Sequence, residues 1–365
     1  MDTVPSETLK ILRGAGLRPP RTLTIAITPA CNLACGHCWV NARDTGAAGH
    51  MPEQTVRRLL EEFIALGGEA VRLTGGEPLC HPAWLRLLQF GRSLGLETVT
   101  IQTNGTLFTP ETVNALGALN FPHLTLQISL DGATAATHNL VRGAGAYEKS
   151  LKGIDLLARS GLAPRISLCF TEMRHNLFDI PRLLRLADNR GIGSVVTGTL
   201  VRCGRSVLQT TLVPPDPEQY HQLLRDYDAN PVFRRLYRQL GTVAALEWRT
   251  TEACRTECCT FAENPYLTAA GTLYPCVMCH ADSHAVTGVL GKSLASALSE
   301  GAPLWATLRA TSERRAKTCE PCGDCPGQTL CKGGCMGRAW HSCSDFLAAD
   351  DRCQVRRAIY ETSRR

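Results

Sequence analysis

No stretch of this chain approaches the roughly 18 consecutive apolar residues of a membrane-spanning helix. The N-terminal MDTVPSETLKILRGAG carries no apolar segment behind a basic one, so no secretory signal is legible either. Dense Lys/Arg runs are also missing. The arginines are dispersed along the 365 residues, and the formal net charge of +6 is not gathered into a nucleic-acid-binding stripe. These absences argue against a membrane or nucleic-acid partner and predict a cytoplasmic protein. Cysteine, in contrast, is abundant, at 18 residues. Without an export signal, a chain of this size with so many thiols points to metal binding or catalysis and away from a disulfide framework.

Three cysteines stand close together in ITPACNLACGHCW. Cys31, Cys35 and Cys38 have the spacing C-x3-C-x2-C and follow the apolar run from Leu23 to Ile27, which predicts a buried strand. Iron–sulfur cubanes are usually held by four thiolates, so three leave one iron open for something else to bind. Taken alone, the triplet also suits zinc, although zinc ligands normally come as two separated C-x2-C pairs. Downstream, VRLTGGEPL runs a second short strand into Gly75, Gly76, Glu77 and Pro78. Paired glycines let backbone approach a ligand closely, and a glutamate accepts hydrogen bonds from an ammonium group.

Together the two motifs resemble those of the radical S-adenosylmethionine (SAM) enzymes, whose triplet has the spacing of Cys31, Cys35 and Cys38 and whose GGEP motif matches residues 75–78. The resemblance implies a 4Fe–4S cluster on the three thiolates, with SAM chelating the open iron. It further implies one-electron cleavage of SAM to a 5′-deoxyadenosyl radical that removes a hydrogen atom from the substrate. A reducing partner such as flavodoxin or ferredoxin follows from that chemistry. Among SAM contacts the resemblance implies Gly75, Gly76 and Glu77, with Ser129 and Arg142 at the amino-acid portion, Asn104 near the ribose and His37 beside the cluster. No catalytic acid or base is assigned.

A strand–helix rhythm frames these motifs. Residues 1–20 read as a lead-in. Residues 21–205 hold six apolar strands (from TLTIAI to SVVTGTL) alternating with helices such as Pro52 to Leu66. This pattern predicts an α/β fold of parallel βαβ units. Six units are too few for a closed eight-stranded barrel, so a partial (β/α)6 TIM-like barrel is expected, with its active site at the C-terminal strand ends. Both motifs fall there, as do Asn104 and Ser129. Residues 206–250, opened by Pro214-Pro215-Asp216-Pro217, read as a bridge with one helix-like stretch from Glu218 to Leu240.

Residues 251–365 form a small cysteine-rich domain. GTLYPC, ending at Cys276, has the pattern G-x4-C, and CGDCPGQTLCKGGC has C-x2-C-x5-C-x3-C. This resembles the SPASM extension behind many radical SAM barrels, which holds two auxiliary 4Fe–4S clusters. By position, Cys322, Cys325, Cys331 and Cys353 would hold one cluster, and Cys254, Cys259, Cys276 and Cys335 the other. Cys258 in place of Cys259, and Cys343 in place of Cys353, stay open, as does structural zinc. Cys80, Cys169, Cys203, Cys279, Cys319 and, where it is not a ligand, Cys343 read as buried bystanders. Three such clusters would also offset much of the +6 charge.

The expected function is a radical SAM oxidoreductase acting in oxidative maturation of a peptide or in biosynthesis of a cofactor or natural product. Alternatives are a dehydrogenase or epimerase of an aminoglycoside-type small molecule, tetrapyrrole side-chain modification and, outside enzymes, an Fe–S electron carrier or a zinc-bound interaction module. A simple carrier needs no GGEP loop, and a zinc module needs no three-cysteine vacancy. Val277 stands where the sulfatase-maturing branch has an aspartate, which argues against that activity. With 30 residues before Cys31, a leader-recognition domain is not expected there, so a peptide substrate would need direct binding or a separate leader-peptide recognition protein.

Overall fold

The computed structural model describes residues 4–46, 48–250 and 259–363. A first helix, α1 (Val4–Gly14), precedes the strand–helix units. These are β1 (Thr22–Ala26) and α2 (Glu53–Ala65), β2 (Ala70–Thr74) and α3 (Trp84–Ser93), and β3 (Thr98–Thr103) and α4 (Pro110–Ala118). β4 (His123–Ser129) is followed by two helices, α5 (Ala135–Arg142) and α6 (Ala146–Arg159), and β5 (Ile166–Glu172) by α7 (Ile180–Asp188) and then β6 (Ser194–Thr199). β1 to β6 pair in parallel in chain order, as right-handed βαβ repetition requires. The helices face the sheet with the stripes read from sequence; α2, for example, buries Val56, Leu59, Leu60 and Phe63.

The sheet does not close, and it extends beyond six strands. The bridge contributes α8 (Pro217–Ala229), α9 (Pro231–Leu240), the short β7 (Gly241–Thr242) beside β6, and α10 (Ala244–Thr250). The single stretch expected from Glu218 to Leu240 is two helices. Pro231 cannot continue the hydrogen-bond ladder of α8, and the Asn230 carboxamide accepts the Val232 and Phe233 N–H groups at 3.0 and 3.1 Å to start α9. At the other edge, β8 (Tyr266–Leu267) pairs in parallel with β1 and in antiparallel with β9 (Leu273–Tyr274). The sheet order is therefore β7-β6-β5-β4-β3-β2-β1-β8-β9, with the cysteine-rich tail hydrogen-bonded to the barrel edge.

A 25-residue helix, α11 (Leu294–Thr318), then runs back against α1 and α2, where Arg58 donates to the Lys292 carbonyl at 2.9 Å and the Glu62 carboxylate accepts the Leu294 N–H at 2.6 Å. Three short helices, α12 (Gln328–Cys331), α13 (Met336–Cys343) and α14 (Cys353–Ser363), complete the tail. One continuous apolar core joins the sheet, α11 and the tail. Among the described residues no helix is long and apolar enough to cross a membrane.

Candidate active site

The C-terminal ends of the strands surround a cavity of about 370 Å³. The loop after β1 brings Cys31, Cys35 and Cys38 to its wall, and each of the three sulfurs receives an N–H hydrogen bond. Leu33 N–H donates to Cys31 at 3.4 Å, Ala42 N–H to Cys38 at 3.3 Å, and the Arg142 guanidinium to Cys35 at 3.8 Å. Such bonds favour thiolate over thiol. Burial acts the other way and pushes the Cys31 thiol up to about 12, so a thiolate there needs a metal's positive charge beside it. The donor set therefore fits a cluster held by three sulfurs.

The GGEP loop follows β2. A Cβ on Gly76 would stand 2.3 Å from the Ala30 carbonyl oxygen, so only glycine lets this loop lie against the segment leading into the triplet. Glu77 is fully enclosed. Its Oε1 accepts the Thr103 hydroxyl at 2.7 Å and Leu79 N–H at 3.1 Å, and its Oε2 accepts Asn104 N–H at 2.7 Å. Burial raises its pKa to about 7 despite these bonds. A carboxylate has about four lone-pair sites, so roughly one is left to meet a cation from the cavity.

Across the cavity, Arg142 and His37 share Asp131, a residue that sequence reasoning passed over. Arg142 Nε donates to Asp131 Oδ2 at 2.7 Å, and His37 Nε2 lies 3.3 Å from the same oxygen. Burial works against the charge on Asp131. Arg142, His37 and the Thr171 N–H outweigh it, and the carboxyl stays at about 2. His37 is lowered to about 4 by burial and is neutral near pH 7; its Nδ1 has no partner among the described residues. Asp131 lies in the turn Leu130-Asp131-Gly132 after β4, the local signal by which it could have been found. Ser129 reaches the cavity wall. Asn104 reaches it too, but its side chain is taken up by Asn32, at 2.9 Å, and by Thr106.

The tail cysteines form two further groups. The Cys353 thiol lies within electrostatic reach of Cys322, Cys325 and Cys331, with Cys319 beside them. Cys343, at the end of α13, is exposed. Cys276 and Cys335 lie within reach of Cys279. Cys254 and Cys258 fall outside the described residues; Cys259, described, lies against the main core. Among the described residues no three His, Cys, Asp or Glu side chains close on a single metal ion, as a mononuclear zinc would require.

The sequence profile of the Radical SAM superfamily matches residues 25–187. Residues 25–187 are a radical SAM domain. An AdoMet-dependent heme synthase of Methanosarcina barkeri is 28% identical, over 92% of this chain and 97% of that protein. The mycofactocin maturase MftC of Mycobacterium ulcerans is also 28% identical, over 93% and 89%. Among solved structures, anSMEcpe with bound AdoMet superposes with a TM-score of 0.72 at 18% identity, over 94% of this chain and 96% of that one. Streptococcus suis SuiB bound to S-adenosylmethionine gives 0.70 at 17%, over 95% and 80%. At those identities the likeness to the two structures is one of fold. The unclosed parallel sheet is thus the radical SAM partial barrel, and the chain is a radical SAM enzyme of the kind that carries a cysteine-rich tail. Membership implies a 4Fe–4S cluster and SAM as cofactors.

Sequence reasoning also missed a ring stack that reaches the cavity wall at Trp39 and Tyr266. The Trp39 ring lies on His280 with centroids 4.8 Å apart, and His280 in turn lies on Tyr266 and Tyr274 at 4.9 and 4.7 Å. Trp39 follows Cys38 directly, so the cluster loop is pinned to the tail. No spacing rule links residues so distant in the chain.

Proposed function

We propose that Cys31, Cys35 and Cys38 hold the SAM-binding cluster, that Gly75, Gly76, Glu77, Asn104, Ser129, Arg142 and His37 line the SAM site, and that the tail holds two auxiliary 4Fe–4S clusters. When bound, the cluster and SAM supply a one-electron reductive cleavage that gives a hydrogen-abstracting radical. This chain's residues do the rest. The Glu77 carboxylate would meet the SAM ammonium, and the Gly75–Gly76 backbone would allow its close approach. Asp131 holds Arg142 and His37 in place, so that Arg142 both steadies the Cys35 sulfur and presents positive charge to a carboxylate. The observation that carries the reading is the trio of N–H···S hydrogen bonds beside the GGEP loop, in one cavity at the strand ends. The test is anaerobic reconstitution with iron and sulfide, followed by measurement of 5′-deoxyadenosine with SAM and a reductant. Its absence would refute the reading.

For the substrate, the proposal is oxidative maturation of a peptide, the electron left after hydrogen abstraction passing to the auxiliary clusters. Of the cavity arginines, Arg142 is shared between Asp131 and the SAM carboxylate of the proposed site, and Arg205 is bound to the carbonyls of Cys35 and Ala42, at 2.9 and 2.5 Å. That leaves little positive charge for a carboxylate-rich substrate. Tetrapyrrole side-chain modification is the second reading, favoured by the near full-length likeness to a heme synthase. Deuterium transfer from labelled peptide or labelled tetrapyrrole into 5′-deoxyadenosine separates the two. A flavodoxin- or ferredoxin-type reductant and, for a peptide, a separate leader-recognition protein complete the proposed set of partners.

A further inference from the structure

We propose that Arg72 anchors a carboxylate of the substrate from beneath the floor of the cavity. The proposal rests on the reading that the substrate meets the radical in this cavity, and it adds the chemical group by which that substrate is held.

The first observation is where β2 puts the residue. Side chains alternate across a strand. Val71 and Leu73 join the apolar core against the helices, so Arg72 and Thr74 face the other way, into the barrel. Thr74 lines the cavity. Arg72 therefore starts one layer beneath the lining, about 6.6 Å back along the strand, a distance that its side chain spans. The Cys169 thiol, on the cavity wall at β5, lies within electrostatic reach of the guanidinium, which agrees with a charged end turned toward the cavity.

The second observation is the company Arg72 keeps. Closed barrels fill their interiors with bulky Val, Ile and Leu. In this open one the core-forming residues of β1, β3 and β4 point outward, which leaves Thr24, Thr100, Gln102, Thr125 and Gln127 on the inner face. Arg72 lies in register between Thr24 and Thr100. Gln102 and Gln127 are tied to each other at 2.7 Å. The single acid in β1 to β6 is Glu172, and it points outward to accept the Tyr220 hydroxyl of α8 at 2.6 Å. The strands thus surround one fixed cation with neutral groups.

The third observation is what that cation lacks. Arg72 makes no hydrogen bond, ion pair or ring contact among the described residues, and its enclosed Nε has no partner. The buried Thr24 hydroxyl beside it is equally unpartnered. Cys169 does not compensate the charge, because burial pushes its thiol up and keeps it protonated. Arg142, Arg205, Arg315, Arg338 and Arg356, in contrast, all meet carboxylates or carbonyls. A half-buried cation without an acceptor costs stability, and no contact of the fold requires one here.

A guanidinium fork matches a carboxylate through two parallel N–H bonds. A phosphate, with up to about two negative charges, would be left half compensated by a single cation. One cation in a neutral lumen therefore selects one carboxylate and leaves the rest of the substrate in the cavity above. That group is either the chain end of a peptide or an alkyl carboxylate such as a tetrapyrrole carries.

The test uses the full chain, reconstituted anaerobically with iron and sulfide and supplied with SAM. It is melted in a calorimeter at fixed ionic strength with propionate, with N-acetylalanine or with uncharged propionamide. In the parent, a carboxylate at saturation should raise the midpoint by about 1–3 °C more than propionamide does. The larger of the two carboxylate shifts tells an alkyl group from a chain end. Arg72→Met removes the charge at similar length. Without any carboxylate it should melt about 2–4 °C above the parent, and its carboxylate shift should vanish. Arg72→Lys keeps the charge but not the fork, and should retain a smaller shift. An arginine needed by the fold predicts the reverse. Arg72→Met that melts below the parent or does not fold would overturn the proposal, as would carboxylate shifts that are absent from the parent or equal in parent and Arg72→Met. Failure of the parent to form 5′-deoxyadenosine would instead refute the radical SAM reading, in a separate assay that the melting shifts do not enter.

Discussion

The cluster loop of the barrel and the cysteine-rich tail solve the same problem, holding sulfurs in place, by opposite means. In the barrel all three cysteines lie in one loop after β1, and two of the three N–H···S bonds come from neighbours within a few residues. In the tail the ligand candidates are spread from Cys254 to Cys353, and the described segment from Cys319 to Cys353 is held together by buried charge. Arg315, fully enclosed, donates to the Gly333, Gly334 and Ala348 carbonyls. Asp350 accepts Cys335 N–H at 2.9 Å and pairs with the buried Arg356. Arg338 binds Asp351 through two nitrogens, at 2.7 Å each, and reaches the Thr199 and Leu200 carbonyls at the mouth of the barrel. A local loop can fold with the sheet that carries it. A site assembled from distant segments depends on each clamp, because removing one partner of a buried pair leaves the other charge uncompensated.

The largest expected effect isolates the barrel side. Replacing Cys31, Cys35 and Cys38 together with alanine should abolish 5′-deoxyadenosine formation while tail iron stays at about eight per chain. Loss of tail iron in that variant would break the distinction between the two regions. On the tail side, truncation before Cys353 should remove about four irons and leave the barrel's cluster in place. Full iron with an intact tail would reassign that ligand, with Cys343 the alternative. Asp350→Ala should destabilise the tail by about 3–5 kcal/mol, read as proteolysis beyond Glu320 with an intact barrel fragment. Resistance equal to that of the parent would mean that the metal, and not buried charge, organises the segment.

Smaller effects sharpen the barrel side. Glu77→Gln keeps an acceptor for Thr103 but removes the charge, and should weaken SAM binding by about 1.5–3 kcal/mol in equilibrium dialysis, with iron unchanged. The smallest effect is a pH dependence. Glu77 is raised from its ordinary 4.5 to about 7, so between those values the folded chain holds a proton that the unfolded chain has lost. Stability from this group therefore falls as pH rises across that window. On the proposed role of this carboxylate at the SAM ammonium, affinity should rise up to about tenfold per pH unit below 7 and level off above it. A flat affinity profile, or one unchanged in Glu77→Gln, would remove Glu77 from the SAM site.

How much was legible follows the same division. The triplet, GGEP, the six parallel strands and the apolar helix faces were readable because each depends on neighbours in the chain: a spacing, a strand end, a stripe. Asp131 was visible as part of a turn but not as the shared counter-charge of Arg142 and His37, which come from other loops. α5 was missed because it is two turns long, and the break at Asn230–Pro231 was passed over inside a run that otherwise favours helix.

By itself, the sequence determined where the candidate chemistry lies: three cysteines at a strand end, a glycine-paired acid at the next, and a chain of βαβ units that lays them at one edge of a parallel sheet. The tertiary structure decided what stands around them. It joined β8 to β1, stacked Trp39 on His280, brought α13 onto the Cys276–Cys279 turn, and buried Arg315, Asp350 and Arg356 as clamps. Those pairings join residues tens to hundreds of positions apart. Burial and charge compensation select them only once the chain is folded, and no local pattern encodes them.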